Sequence, residues 1–95
     1  MSFQSFRVLD RDDVVATTGN QNIARPDGTP EVCKIEIQNN GSSTVRVKFG
    51  APAVAGTGRA IAPGEMYTTL EPIDADDLNV IADSGTAALA IGFWF

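Results

Sequence analysis

Cys33 is the single thiol of this chain, and histidine is absent. A thiol or hydroxyl nucleophile needs a nearby base, and imidazole is the usual one. No Ser/His/Asp or Cys/His constellation can therefore be assembled. Cys33 alternates with Ile35 and Ile37 along one face of a β-prone run. A thiol in that position behaves as a small core hydrophobe.

The carboxylates offer a second kind of chemistry. Asp74, Asp76 and Asp77, with Glu71 close by, supply oxygens of the type that hold a hard cation. Their spacing lacks the central glycine and the further ligands of an EF-hand loop. Loop carboxylates in water are the expected reading, and the same holds for Asp10, Asp12 and Asp13. Glycoside hydrolysis needs two acids facing each other across a cleft, which a domain this small hardly provides. Gly56-Thr57-Gly58 lacks the strand-loop-helix setting of a phosphate loop. Lys34, Arg46 and Lys48 form at most a short basic stripe with Glu36 interleaved. The expectation is a protein that is not an enzyme and that carries no cofactor and no metal.

The elements that must position these residues are strands. In Lys34–Gly50, Cys33, Ile35 and Ile37 fall on one face, with Lys34, Glu36 and Gln38 on the other. Val45, Val47 and Phe49 then alternate with Thr44, Arg46 and Lys48. This period of two marks strands with one buried and one wet face. Read as a hairpin, the run sets Ile37 opposite Val45, Ile35 opposite Val47 and Cys33 opposite Phe49. Asn40-Gly41-Ser42 is then the loop, with Gly41 at positive φ. That register pairs Glu36 with Arg46 favourably and Lys34 with Lys48 unfavourably.

A second hairpin is expected over Leu78–Phe95, turning at Ser84-Gly85, with Val80 opposite Leu89 and Leu78 opposite Ile91. Leu89, Ile91, Phe93 and Phe95 line one face of its last strand. Ala88, Ala90, Gly92 and Trp94 line the other. That second face is small rather than polar, which suits a strand covered on both sides. Turns are expected at Asp27-Gly28 and at Ala62–Glu65, where Pro63 and Gly64 fit the centre of a type II turn. The Gly-rich run Ala51–Arg59 reads as a loop.

Turn signals every ~8–12 residues and about six to eight short strands give an all-β antiparallel sandwich or barrel. At 95 residues it is one domain with a modest core of its own. Residues 14–95 are expected to form the sandwich and residues 1–13 an N-terminal arm, the alternative being a first strand of the same domain. Phe3 and Phe6 are the anchors such an arm would use. The net charge of −5 disfavours nucleic acid and anionic lipid as partners. No apolar run is long enough for a membrane helix. Trp94 and Phe95 end the chain in aromatic residues of the kind enriched at subunit interfaces.

The residues Ile37–Gly50, with Ile35 leading in, are followed by Ile61–Glu65 (IAPGE) and Ile81–Leu89 (IADSGTAAL). The order is strand, Asn-Gly turn, Val-x-Val-x-Phe-Gly strand, Pro-Gly turn and closing hairpin. In this the chain resembles the small β-sandwich structural proteins of tailed-bacteriophage virions, which occur as head decoration (cement) proteins and as related fibre modules. The resemblance runs from about Val14 to Leu89. The acidic stretch Pro72–Asp77 and the Phe93-Trp94-Phe95 terminus depart from it.

The resemblance implies a protein on the capsid surface, made in the host cytoplasm, whose partner is the major capsid protein and which is commonly a homotrimer. It implies no catalytic residues. Phe3, Phe6, Asp10, Arg11, Asp12 and Asp13 are then the expected capsid contacts, and Trp94 and Phe95 the expected oligomer interface. A tail- or head-fibre module, or a receptor- or glycan-binding virion domain, is the alternative. The loops contain no aromatic residue on which a sugar would stack.

Overall fold

The computed structural model describes residues 7–95. Among the described residues, nine strands are divided between two antiparallel sheets. They are β1 (Val8–Ala16), β2 (Gln21–Asn22), β3 (Val32–Asn39), β4 (Val45–Phe49), β5 (Arg59–Ile61), β6 (Met66–Thr68), β7 (Ile73–Asp74), β8 (Leu78–Ala82) and β9 (Ala87–Trp94). A short 3-10 helix, Ala75–Asp77, separates β7 from β8. One sheet runs β1-β9-β3-β6, with β7 beside the start of β3, and the other runs β2-β8-β4-β5. This is the all-β sandwich that the alternation predicts. Among the described residues no helix is long and apolar enough to cross a membrane.

The expected hairpins do not form. β3 pairs with β9, β6 and β7, whereas β4 pairs with β5 and β8. The chain between them is an arch that crosses from one sheet to the other. β8 and β9 likewise sit in different sheets. Ile37 therefore faces Ile91 and Tyr67 rather than Val45. The physical reason is that a hairpin and an arch demand the same alternation. In both, the apolar faces of the two strands point into one core. The core confirms those faces: Ile35, Ile37, Val45, Leu78, Val80, Leu89, Ile91 and Phe93 are all buried between the sheets.

Asn39 holds the first arch. It is fully buried, and its Nδ2 donates to Ser43 O at 2.8 Å and to Ile61 O at 2.9 Å. Its Oδ1 accepts from Gly41 N at 2.9 Å. These bonds satisfy main-chain groups that leave the ladder at the crossing, where a lone buried carbonyl would be costly. Gly41 is not at positive φ. The Ala62–Glu65 turn forms as expected: Glu65 N donates to Ala62 O at 2.9 Å, and Gly64 has φ +81°.

The boundary expected after Asp13 falls inside β1. Val8, Leu9, Asp10 and Arg11 pair with Trp94, Phe93, Gly92 and Ile91. Residues 8–13 are thus edge strand of the sandwich and not a free arm. The register then slips, so that Asp12 and Asp13 share the position opposite Ala90 before Val14 meets Leu89. This is a β-bulge. Phe3 and Phe6 lie outside the described residues.

The loop Gly50–Gly58 lies over the outer face of β8 as a strap. Ala53 N donates to Asn20 Oδ1 at 2.7 Å, and Gly56 N to Asp83 Oδ1 at 2.8 Å. Ala53, Asn79 and Ile81 are buried as a result, which explains why every residue of β8 is shielded.

Candidate functional site

The candidate chemical residues are mostly engaged in holding the fold. Cys33 is 2% exposed and sits opposite Ile73. Burial pushes its thiol above the ordinary value, against a smaller opposing pull from Arg25.

Of the acidic loop, Asp74 and Asp76 come together with Glu31, their carboxylate oxygens within 4.8 Å of one another. Asp77 and Glu71 are not in that group. Asp74 Oδ1 caps the 3-10 helix by accepting from Asp76 N at 2.9 Å, and Asp76 accepts from Arg25 Nε at 2.9 Å. The cluster therefore already contains its own counter-charge. In β1, Arg11 makes a bidentate pair with Asp13, at 3.0 and 2.9 Å, and donates to Ala24 O. The Arg11–Asp13 hydrogen bonds hold the Asp13 carboxyl below its usual range. Asp10 and Asp12 remain exposed.

The basic stripe is not assembled. Arg46 and Lys48 are on one sheet and Lys34 on the other. Arg46 spans Asp83 with its Nε and Nη2, the latter at 2.9 Å from Oδ2. Asp83 is held low first by Arg46 and then by the Gly56 amide. Gly56-Thr57-Gly58 belongs to the strap, and its glycines take φ +75° and +79°.

The open feature is a surface. β9 presents Phe93 inward, fully buried, and Trp94 outward, 37% exposed. The Trp94 indole folds over Gly92: a Cβ built on Gly92 would lie 3.3 Å from Trp94 Nε1, 3.2 Å from Asp10 Oδ1 and 3.6 Å from Val8 Cγ1. The outer rows of this sheet run Val15–Ala88, Ala90–Gln38–Met66, Asp10–Gly92–Glu36–Thr68 and Val8–Trp94–Lys34. Along β9 this face carries no charge. Phe95, expected at an interface, is half-buried against its own core, with the Arg7 guanidinium 5.5 Å from its ring centroid.

Met66 and Leu70, which no motif singles out, are 56% and 92% exposed. Their signal was present: Met66–Leu70 (MYTTL) carries no charge. They border a groove between the sheet edges, lined by Arg59, Met66, Thr68, Leu70, Glu71 and Ile73 among others. In it the Arg59 guanidinium sits 4.8 Å from the ring centroid of Tyr67.

No protein-family model matches this sequence, and no curated protein matches it. A solved structure of PirA is similar in outline, at 16% identity and a TM-score of 0.48, over 100% of this chain and 97% of that one. A likeness of that degree does not bear on what this chain does.

Proposed function

We propose that this protein is a non-catalytic structural protein of a tailed-phage virion, a capsid decoration (cement) protein that docks on the assembled head and stabilises it. The resemblance over Ile35–Gly50, Ile61–Glu65 and Ile81–Leu89 supports the reading. The observation that carries it on the structural side is the outward face of β9. Ala88, Ala90, Gly92 and Trp94 give this central strand an outer row without a charged side chain of its own, with Trp94 and Asp10 lying over Gly92. Exposed apolar patches rimmed by polar residues are where partners dock.

The partner is the major capsid protein, joined by further copies of this chain as a homotrimer, on the outside of the head. Binding that favours the assembled shell over free subunits lowers the free energy of the shell, repeated at every site. Phe3 and Phe6 remain candidate capsid contacts. Of the charged set, Asp10 and Asp12 are the members free to make them, since Arg11 and Asp13 are paired with each other.

Co-sedimentation with mature, undecorated heads tests the reading. Saturable binding at a fixed number of copies per capsomer is expected, and replacing both Phe3 and Phe6 by Ala should weaken it. A stable oligomer that ignores heads would point to a tail or fibre module.

A further inference from the structure

The sandwich has several strand edges, and they are not equally protected. Bare edges invite pairing with another chain, and proteins guard them with charges, bulges or short strands. β1 is guarded by the Asp12-Asp13 bulge and by the carboxylates of Asp10, Asp12 and Asp13. β2 is two residues long, and Asn22 Nδ2 turns back to Asp76 O and Leu78 O. β5 is three residues long and starts at Arg59.

β6 has only its shortness. Its side facing β3 is fully used: Asn39 N donates to Glu65 O, Ile37 faces Tyr67, and Thr69 N donates to Ile35 O. In an antiparallel ladder the bonded positions alternate. The amides and carbonyls of Met66 and Thr68 therefore point away from the sheet, and no described residue takes them. Above them stand Met66 and Leu70, the latter nearly all in water. Arg59 reaches into the same groove without a carboxylate partner among the described residues. Glu71 also lines this groove, and no ion pair among the described residues joins it to Arg59.

Resting on the decoration reading, we infer that the β6 edge is where the shell protein docks. An extended segment of that protein adds to β6 as a further strand, bonded to the main chain of Met66 and Thr68. Its apolar side chains cover Met66 and Leu70, and a carboxylate on it meets Arg59. Main-chain bonds then supply affinity and the alternate side chains supply selectivity, as in other strand additions. The edge is continuous with the outer face of β9 through the row Ala90–Gln38–Met66, so one partner can cover both.

A photo-crosslinking amino acid placed at position 70, with position 54 on the opposite sheet's strap as control, tests this on undecorated heads. A crosslink from position 70 to the shell protein, absent from position 54, is expected. Thr68→Pro removes an outward amide that the fold does not use. It should keep native circular dichroism and lose head affinity by about tenfold, one hydrogen bond's worth. Leu70→Asp, at an exposed site, should lose at least as much. If position 70 links to another copy of this chain, or stays unlinked on variants that still sediment with heads, the inference is overturned. If the unaltered protein fails to bind heads at all, the decoration reading falls first.

Discussion

Gly41 lies against Ala87 so closely that a Cβ built on it would stand 2.5 Å from Ala87 Cα and 2.7 Å from Ala87 Cβ. The requirement for glycine here is one of space at the arch and not of φ. Gly41→Ala should therefore destabilise the fold by about 2 kcal/mol or more, the range of overpacking in a closed site. Gly41→Asn discriminates the two causes. Asn tolerates the left-handed region that a hairpin turn would need, so at such a turn it would be the milder change. At this contact it should be the worse of the two, as read by urea midpoints.

Asn39 and Gly41 act together in that arch. Asn39→Ala would strand the buried carbonyl of Ile61, together with Ser43 O and Gly41 N. Of these three groups only Ile61 O sits at a fully buried bond and water can reach the other two in part, so the expected loss is about 3 kcal/mol. Asn39→Asp should do no better, because its second oxygen would face the two carbonyls that now accept from Nδ2. Equilibrium denaturation of both variants checks this.

The strands and their inward faces were legible in the sequence because a period of two is a property of each strand alone. Ile35, Ile37, Val45 and Val47 point where their spacing says. Pairing was not legible, because an arch and a hairpin share that period. One sign is present in the residues themselves: the hairpin register sets Lys34 against Lys48. In the sandwich the clash vanishes, with Lys34 opposite Trp94 and Lys48 opposite Asn79. The expected Glu36–Arg46 pair vanishes too, and Arg46 finds Asp83, a partner far away in sequence. Of the candidate surface, Trp94 was legible from its alternation with Phe93. The β6 edge was not, because the exposure of Leu70 follows from the strand break before Pro72, which no periodicity reports.

Asp83 ties the strap to the sheet through Arg46 and the Gly56 amide. Its carboxyl titrates below the usual value in the folded protein. A depressed folded pKa contributes stability above the unfolded value, near 3.9, that is lost as pH falls through the folded one. The strap should therefore be held throughout neutral and mildly acidic solution and loosen only below the ordinary carboxylate range. Asp83→Asn should remove its share of that acid limb from a plot of melting temperature against pH. It should also speed hydrogen exchange at Gly56 at neutral pH. An unchanged exchange rate would mean that the strap is held by its other bonds, Ala53 N to Asn20 Oδ1 and Gly50 N to Asp77 O.

Cys33 should be silent to a thiol reagent in the native state and react only through opening of the fold. Burial both hides the sulfur and raises its pKa. Its labelling rate should rise with urea in step with unfolding, and Gly41→Ala should accelerate it. Native labelling as fast as that of a free thiol would contradict the position of β3 between β9 and β7.

The central claim is that the β1-β9-β3-β6 sheet, with the outer face of β9 and the bare edge of β6, is the side that meets the capsid. Oxidative side-chain footprinting of the protein, free and bound to heads, tests it most directly. The account predicts that Trp94 and Met66 lose most of their reactivity on binding, while Val54, on the strap of the opposite sheet, keeps its own. Equal oxidation of Trp94 and Met66 in the two states, with protection moved to the strap, would contradict it.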